Sequence, residues 1–461
     1  LPPGPRGLPI VGNLFDMPTK SPWTAFAEWG KKWGGIISVT IFGRTIIIIN
    51  DAKIAVDLLT GRDDVYCDRP AMSMVTLSGY GDSVGTIGAG ERHTEYRQML
   101  ALGFGTSGER VERFRTTEEF RASKLLQWLL DGRGGSIRDV AGANILWAGY
   151  GYKVQENNDP LVAQAEQARA DLHTAAESLP HALLNQLPHS LLECLPAWLP
   201  FRRTAARFRA TATALREDAF ARACKSDSDS LVADVMAKGL EASPRRVEYL
   251  KWVAMTLYGA GAEPTATILH IYFLAMCRHP DVQERVQAEL DGITGGKRLP
   301  NFTDRPNLPY VTALCKELFR WFPVVPLGIP HRSMEGGEYN GYKIPAGSIL
   351  IPNIWYMWHI LKDPRAHREP ERFNPDRYMS PSPEPDPWLI FGFGSRVCPG
   401  KHIAEDTAWI CVAQIASVLN VRPGEHKIVP PPVPDATSAV VHPVSFDCVV
   451  APRSESALRL V

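Results

Sequence analysis

Two short runs rich in β-branched residues, Ile36 to Phe42 and Thr45 to Ile49, flank Gly43-Arg44. A two-residue connection of this kind predicts a hairpin, and hence a small sheet near the N-terminus. Most of the chain beyond Ile49 has a helical period. Ile403 to Val421 reads as one helix, and Glu248 to Arg278 as a longer apolar one, interrupted at Gly259-Ala260-Gly261-Ala262-Glu263-Pro264-Thr265. Lys251, Glu263 and His270 make the long helix too polar to cross a bilayer, so it is expected in the core. Pro264 removes the N–H that would bond the Ala260 carbonyl and its ring crowds that carbonyl. A kink is therefore predicted, opening a groove to which Glu263 and Thr265 offer polar groups.

From Leu179 to Phe201, prolines at 180, 188, 196 and 200 cut the chain into short apolar pieces. Leu195, Trp198, Leu199 and Phe201 then run into Arg202-Arg203, a mixture that suits a membrane interface; buried packing of short helices is equally compatible. Val324 to Arg332 reads as an apolar strand ending in cations. The segments Phe446 to Cys448 and Pro452 to Ser454 continue a strand pattern near the C-terminus.

Composition narrows the class. A length of 461 residues exceeds the usual single core and by itself suggests two or three domains. Formal net charge is +0, which argues against a nucleic-acid partner. The 38 prolines exceed the ~5% average and go to loops and helix ends, not to a low-complexity tract. Eight cysteines lack paired spacing, so neither a zinc site nor a disulfide framework is suggested and a reducing compartment is expected. Prolines at 2, 3, 5 and 9 hold the first 14 residues extended. No run of ~18 uncharged apolar residues is present.

The candidate chemistry centres on Phe391-Gly392-Phe393-Gly394-Ser395-Arg396-Val397-Cys398-Pro399-Gly400. Gly392, Gly394 and Gly400 permit a tight loop against a flat ligand. Cys398 lies at the mouth of a helix, where the dipole favours thiolate over thiol, and a thiolate offered by a close-packed loop is what an axial haem ligand requires. An isolated cysteine is more often a buried structural thiol. The spacing Phe-x-x-Gly-x-Arg-x-Cys-x-Gly decides between them, because it resembles the haem-binding signature of cytochromes P450 at every position. The resemblance implies that Cys398 is the proximal ligand of haem b, framed by Phe391, Gly392 and Gly400, and that Arg396 meets a propionate.

Other segments match the same family in order. His93 and Arg97 share a helix face where the family has Trp-x-x-x-Arg, and the resemblance gives both a propionate; His331 stands at a third such position, with Arg332 as the alternative. Ala260, Gly261 and Glu263 match the oxygen-binding segment, but Pro264 replaces the usual threonine. Thr265 is one residue further on, about 100° around the helix, which puts efficient dioxygen activation in doubt. Glu317 and Arg320, with Pro370-Glu371-Arg372-Phe373 downstream, resemble the network that braces the haem loop, with Arg372 as its third member. Met72, Val75, Leu257, Val325, Leu327 and Val440 fall where the family contacts substrate.

The chain resembles fungal microsomal members of the family, of the O-methylsterigmatocystin-oxidoreductase-like kind. This implies a mainly α fold with a small β subdomain, one catalytic domain over residues 1–461, with residues 1–14 a hinge following a membrane anchor that the chain lacks. It also implies a haem-thiolate monooxygenase on the cytosolic face of the endoplasmic reticulum membrane, fed electrons by NADPH–cytochrome P450 reductase and acting on a lipophilic small molecule. Two alternatives remain open: an isomerase, dehydratase or peroxide-dependent oxidase of the same fold, prompted by Pro264, and a haem- or ligand-binding protein without turnover.

Overall fold

The computed structural model describes residues 1–105, 109–131, 137–155, 158–226, 228–239, 243–357, 368–379, 381–425, 434–435 and 439–461. Helices dominate, and the long one runs from Pro244 to Arg278, 35 residues. Its two halves belong to different cores. Tyr249 to Ala262 packs with the helices Glu91–Phe104, Ile137–Tyr150 and Pro200–Ala223, whereas Ala266 to Cys277 packs with Pro309–Trp321 and Lys401–Val418. The segment Glu263–Thr265 lies where the two cores meet.

The helix continues through Pro264, so the predicted interruption does not occur. One missing N–H costs a single bond, and burial of the flanking residues Ala262, Ala266 and Thr267 holds the backbone helical on either side. Gly261 serves this packing: a Cβ there would stand 2.6 Å from Ile145 Cδ1, so the small residue lets the helix Ile137–Tyr150 approach. Leu257 is used in the same contact, against Gly149.

The hairpin is present, with strands Ile36–Ile41 and Arg44–Ile49 in antiparallel register, Ile41 opposite Arg44. Its turn is Phe42-Gly43, one residue earlier than the pattern suggested, with φ of 47° and 77°; left-handed φ at both positions suits the twist of a two-residue hairpin. Ile349–Pro352 joins Arg44–Ile49 in parallel and His331–Arg332 completes the sheet. Ile47 and Ile49 enter one core and Ile46 and Ile48 another, which explains an isoleucine run without alternation: both faces are covered.

Three boundaries differ from expectation. Val324 to Pro330 is a succession of turns, with Gly328 at φ 58°, and only His331–Arg332 is strand. The last long helix stops at Val418 and the chain enters the strand Leu419–Pro423, which pairs with Cys448–Pro452. The stretch from Asp68 to Gly81, with Pro70, Gly79 and Gly81, has the composition of a loop, yet Ser73–Leu77 within it forms a short helix. The proline-cut region does give short helices, Leu179–Leu184 and His189–Cys194, ahead of Pro200–Ala223. Among the described residues no helix is long and apolar enough to cross a membrane.

Glu317 and Arg320 are both fully buried and paired twice, Nε to Oε2 at 2.7 Å and Nη2 to Oε1 at 2.8 Å. Arg320 also donates to the carbonyls of Pro370 and Arg372, at 2.6 and 3.1 Å. The Arg372 guanidinium is not part of this network. It lies exposed, bonded to Glu369 at 3.1 Å, and Arg377 takes the third place, buried, 3.1 Å from Glu317 Oε2. The expectation for Arg372 is thus corrected: its backbone takes part and its side chain does not.

Candidate functional site

The loop that carries Cys398 is closed on itself by backbone bonds, Cys398 N–H to Phe391 O at 2.7 Å and Arg396 N–H to Phe393 O at 3.0 Å. Gly392 has φ 89° and Gly394 φ 50°, and a side chain at Gly394 would strike Asp63 and the Leu59 carbonyl. Gly400 has an ordinary φ of −94°, so its use is not conformational; its N–H bonds the Cys398 sulfur. The next helix begins at Lys401. Burial pushes the Cys398 thiol up, outweighing the Gly400 N–H and the Arg97 guanidinium that pull it down. Desolvation of a thiolate in this loop therefore outweighs its neighbouring donors, and a metal ion is what would deprotonate this thiol outright.

Beside the loop lies a cluster of buried cations. Arg97 Nη1 donates to the Val397 carbonyl at 2.7 Å, tying the helix Glu91–Phe104 to the residue before Cys398. Arg396 donates through Nε to Cys67 O at 2.7 Å, while Nη1 and Nη2 are buried with no partner among the described residues. Arg69 donates to the carbonyls of Ile329 and Pro330, both at 2.8 Å, and its Nε is likewise unpartnered. Burial and the nearby Arg396 charge bring Arg69 down to about 9. The sequence pattern does not single out this residue; Arg69-Pro70 comes after Asp68 in what reads as an ordinary loop, and only the fold sets it against Arg396. Asp68, the acid beside it, is already committed to Arg332 Nε at 2.6 Å and the Ala89 N–H at 2.7 Å, so Arg332 is paired with an acid and not offered to the cluster.

His93 and His331 are buried in the same place. Burial first, then Arg396, Arg97 and Arg69, lowers His93 to about 4. Burial and Arg69 lower His331 to about 3, against a bond from its Nδ1–H to the Tyr66 carbonyl at 2.8 Å. Since that carbonyl can only accept, neutral His331 has no second N–H to donate, which corrects its expected use as a simple carboxylate donor. Guanidinium N–H groups left without acceptors in a dry cluster fit a ligand that brings carboxylates.

This charge pattern has a measurable consequence. Both histidines fold with depressed values, so below about 6.5 the unfolded chain binds protons that the folded haem-free chain does not, and stability falls as the pH drops. On the order of 2–3 kcal/mol is expected to be lost by about pH 4 from His93 alone. Urea unfolding of the haem-free protein between pH 7 and pH 4 checks this. A flat profile contradicts it, and carboxylates delivered to the cluster should make the profile shallower.

On the long helix, Ala260 and Pro264 are one turn apart and share a face; Ala260 is exposed although its neighbours Tyr258 and Ala262 are buried. Glu263 does not offer its carboxylate to that face, contrary to the expected groove. It is 8% exposed and is engaged by His442 Nε2 at 3.0 Å, Arg169 Nη1 at 3.2 Å and Arg138 Nη2 at 3.5 Å. Burial raises its value, but His442, Arg169 and Arg138 together hold it below the ordinary carboxylate range. Thr265 is half-buried.

The residues expected near substrate separate into groups. Met72 and Val75 line a 220 Å³ cavity with Arg69, Asp68, Thr86 and Arg332. Val440 packs against Ile268, Phe319, Val324 and Ala408, Val325 is half-buried in the turn, and Leu327 bridges two cores. Of the tail turn, residues 437–438 lie outside the described residues.

A family model described as Cytochrome P450 matches residues 2–449. The chain belongs to the cytochrome P450 family. It is similar, at 36% identity over its whole length and 92% of the relative, to Cytochrome P450 monooxygenase 208 of Postia placenta. Cytochrome P450 monooxygenase claR of Ampulloclitocybe clavipes is 35% identical, covering all of this chain and 88% of the relative. Tryptamine 4-monooxygenase of Psilocybe cyanescens is 34% identical, covering all of this chain and 94% of the relative. The protein is accordingly a cytochrome P450 monooxygenase, an oxidoreductase of mainly helical fold with small sheets. Membership implies haem b, a redox partner and a small-molecule substrate. Haem b carries two propionates, and the unpartnered guanidinium atoms of Arg396 and Arg69 beside the Cys398 loop fit such a group.

Proposed function

We propose that this cytochrome P450 oxidises a lipophilic small molecule with dioxygen, drawing electrons from NADPH through an NADPH–cytochrome P450 reductase. The observation that carries the reading is the juxtaposition of the Cys398 loop with buried cations that lack acceptors. Cys398 would hold the iron, and Arg396 and Arg69 would receive the propionates, with Arg97 and His93 beside them; neutral His331, its Nδ1–H committed to the Tyr66 carbonyl, would not donate to them. When bound, haem with a thiolate ligand supplies the one-electron and dioxygen chemistry that no side chain provides.

The chain's own residues supply position. Arg97, through Val397, locks the thiol loop to a core helix, and the Glu317–Arg320–Arg377 network ties the helix Pro309–Trp321 to the backbone of Pro370, Arg372 and Asn374. Met72 and Val75 offer the substrate an apolar wall. Similarity to a tryptamine 4-monooxygenase supports a small organic substrate, which we place among secondary metabolites. Residues 1–461 act as one catalytic domain. Leu183, Leu187, Leu191, Leu195 and Trp198 are exposed just before Arg202 and Arg203, and this apolar and basic surface supports docking on the endoplasmic reticulum membrane; binding to phosphatidylcholine vesicles tests it.

Pro264 favours a second reading, in which peroxide or an already oxidised substrate replaces dioxygen. The two separate in one comparison, 7-ethoxycoumarin turnover with reductase and NADPH against turnover with hydrogen peroxide. Product is expected from the first system, with much of the NADPH lost as peroxide. Pro264→Thr, which restores a hydroxyl on the face shared with Ala260, is expected to raise product per NADPH by about two- to tenfold. Clean turnover with peroxide alone rejects the monooxygenase reading, and an unchanged yield in Pro264→Thr clears Pro264 of limiting it.

A further inference from the structure

Glu263 receives an imidazole from far along the chain. His442 lies in the two-residue strand His442–Pro443, paired with Pro434–Asp435, and both of its ring nitrogens are engaged by one turn of the long helix. Nδ1 is 2.9 Å from Thr267 Oγ1 and Nε2 is 3.0 Å from Glu263 Oε1. Thr267, fully buried, also reaches the Glu263 carbonyl at 2.9 Å. The ring thus sits between a hydroxyl and a carboxylate four residues apart on one helix face, and it cannot turn without breaking both contacts.

The hydrogen positions are coupled. With the ring doubly protonated, Nε2–H donates to the Glu263 carboxylate and Nδ1–H to Thr267 Oγ1, whose own hydrogen goes to the Glu263 carbonyl. Every donor then has an acceptor. When Nδ1 loses its proton, the Thr267 hydrogen must leave the carbonyl and rotate to Nδ1, while Nε2–H stays on Glu263. Proton gain or loss at His442 is therefore read out one helical turn away, at a hydroxyl with no access to water. The His442 side chain is 32% exposed against 10% for Glu263, so protons exchange with solvent at the ring.

Other charges face the pair from three elements. Arg169 on Pro160–Glu177 and Arg138 on Ile137–Tyr150 hold the far side of the Glu263 carboxylate. Glu166 bridges them, 3.1 Å from Arg169 and 3.7 Å from Arg138, and accepts from Tyr258 Oη at 2.8 Å. His270, on the long helix, lies close enough that the His442 charge helps to lower it, after burial. Arg169, Arg138 and His442 thus meet one carboxylate from three separate elements.

We propose that His442 is a positioning residue for this enzyme: oriented by Thr267, it fixes Glu263 and gives the turn around Pro264 an exchangeable proton that proline cannot provide. The inference rests on the monooxygenase reading and extends it to the tail of the chain.

The test uses the holoenzyme with reductase, NADPH and 7-ethoxycoumarin as probe, and compares His442→Gln and His442→Phe with the wild type from pH 5.5 to 8.5. His442→Phe is expected to lower kcat about tenfold with KM moved less than about twofold, and to raise the peroxide released per NADPH. His442→Gln, whose amide can still donate to Glu263, should recover part of kcat. Both variants remove the exchangeable ring proton, so both should alter the pH profile of peroxide release relative to the wild type. In ¹⁵N-histidine-labelled holoenzyme, the ring-nitrogen signals absent from His442→Gln are expected to move in Glu263→Gln and in Thr267→Val.

Wild-type pH profiles in both His442 variants, or ring signals indifferent to Glu263→Gln and Thr267→Val, overturn the proposal. A wild type that makes no product while its ring signals respond counts against the monooxygenase reading and leaves the pairing standing.

Discussion

Cys398→Ser, loaded with haem b, is expected to lose turnover by on the order of 10³-fold or more, the scale seen when a group that the chemistry requires is removed. The reduced protein under carbon monoxide is expected to lose the strongly red-shifted band that marks a thiolate. The reason lies in the loop. It is held by the Cys398 N–H to Phe391 O bond and by Arg97 on Val397, so the backbone should accept a serine with little change. What changes is the acid. Burial already pushes the thiol up, and the Gly400 N–H and Arg97 only partly offset it. A metal ion completes the deprotonation of a thiol under these conditions, whereas an alcohol starts many orders of magnitude less acidic and remains neutral. A Cys398→Ser protein that keeps the red-shifted band, or a wild type with an imidazole-type spectrum, would sink the assignment of Cys398.

The second large effect is on stability. Arg320→Leu and Arg377→Leu are each expected to cost about 3–5 kcal/mol, because removing one partner strands the buried Glu317 charge. Against a typical total of about 5–15 kcal/mol, such a loss leaves little folded protein at growth temperature. Glu317 accepts from Arg320 twice, stands 3.1 Å from Arg377 and also accepts the Asn374 N–H at 2.7 Å, so its charge is held by several donors out of reach of water. Arg372→Leu is the control: its guanidinium is exposed and, among the described residues, paired with exposed Glu369, and exposed pairs contribute about 0–1 kcal/mol. Thermal unfolding and haem retention of the three variants decide the matter. A loss at Arg372 equal to that at Arg377 would restore the motif-based assignment.

What the sequence by itself determined is local. The Cys398 loop was readable because glycines, arginine and cysteine act within ten consecutive positions, and the hairpin because two β-branched runs meet across two residues. His93 and Arg97 fall on one helix turn, so their shared face follows from spacing alone. The same holds for Glu317 and Arg320, whose pairing needs only three residues of helix.

Tertiary structure decided whatever depends on distant neighbours. One arginine in a sequence looks like another; burial against Cys67, Ile329 and Pro330 singles out Arg69 and Arg396, and the course of the chain after Arg372 turns Arg377 inward instead. Glu263 reads as a groove-facing acid until Arg138, Arg169 and His442 arrive from three other elements and take its oxygens. Val324 to Pro330 has the composition of a strand, yet its carbonyls are taken singly by Val441, Trp355 and Arg69 and not by a neighbouring strand, and it folds as turns. A side chain's charge state and direction are set by what packs on it, and among the described residues those contacts are separated by as many as 334 residues, as between Gln127 and the Val461 carbonyl.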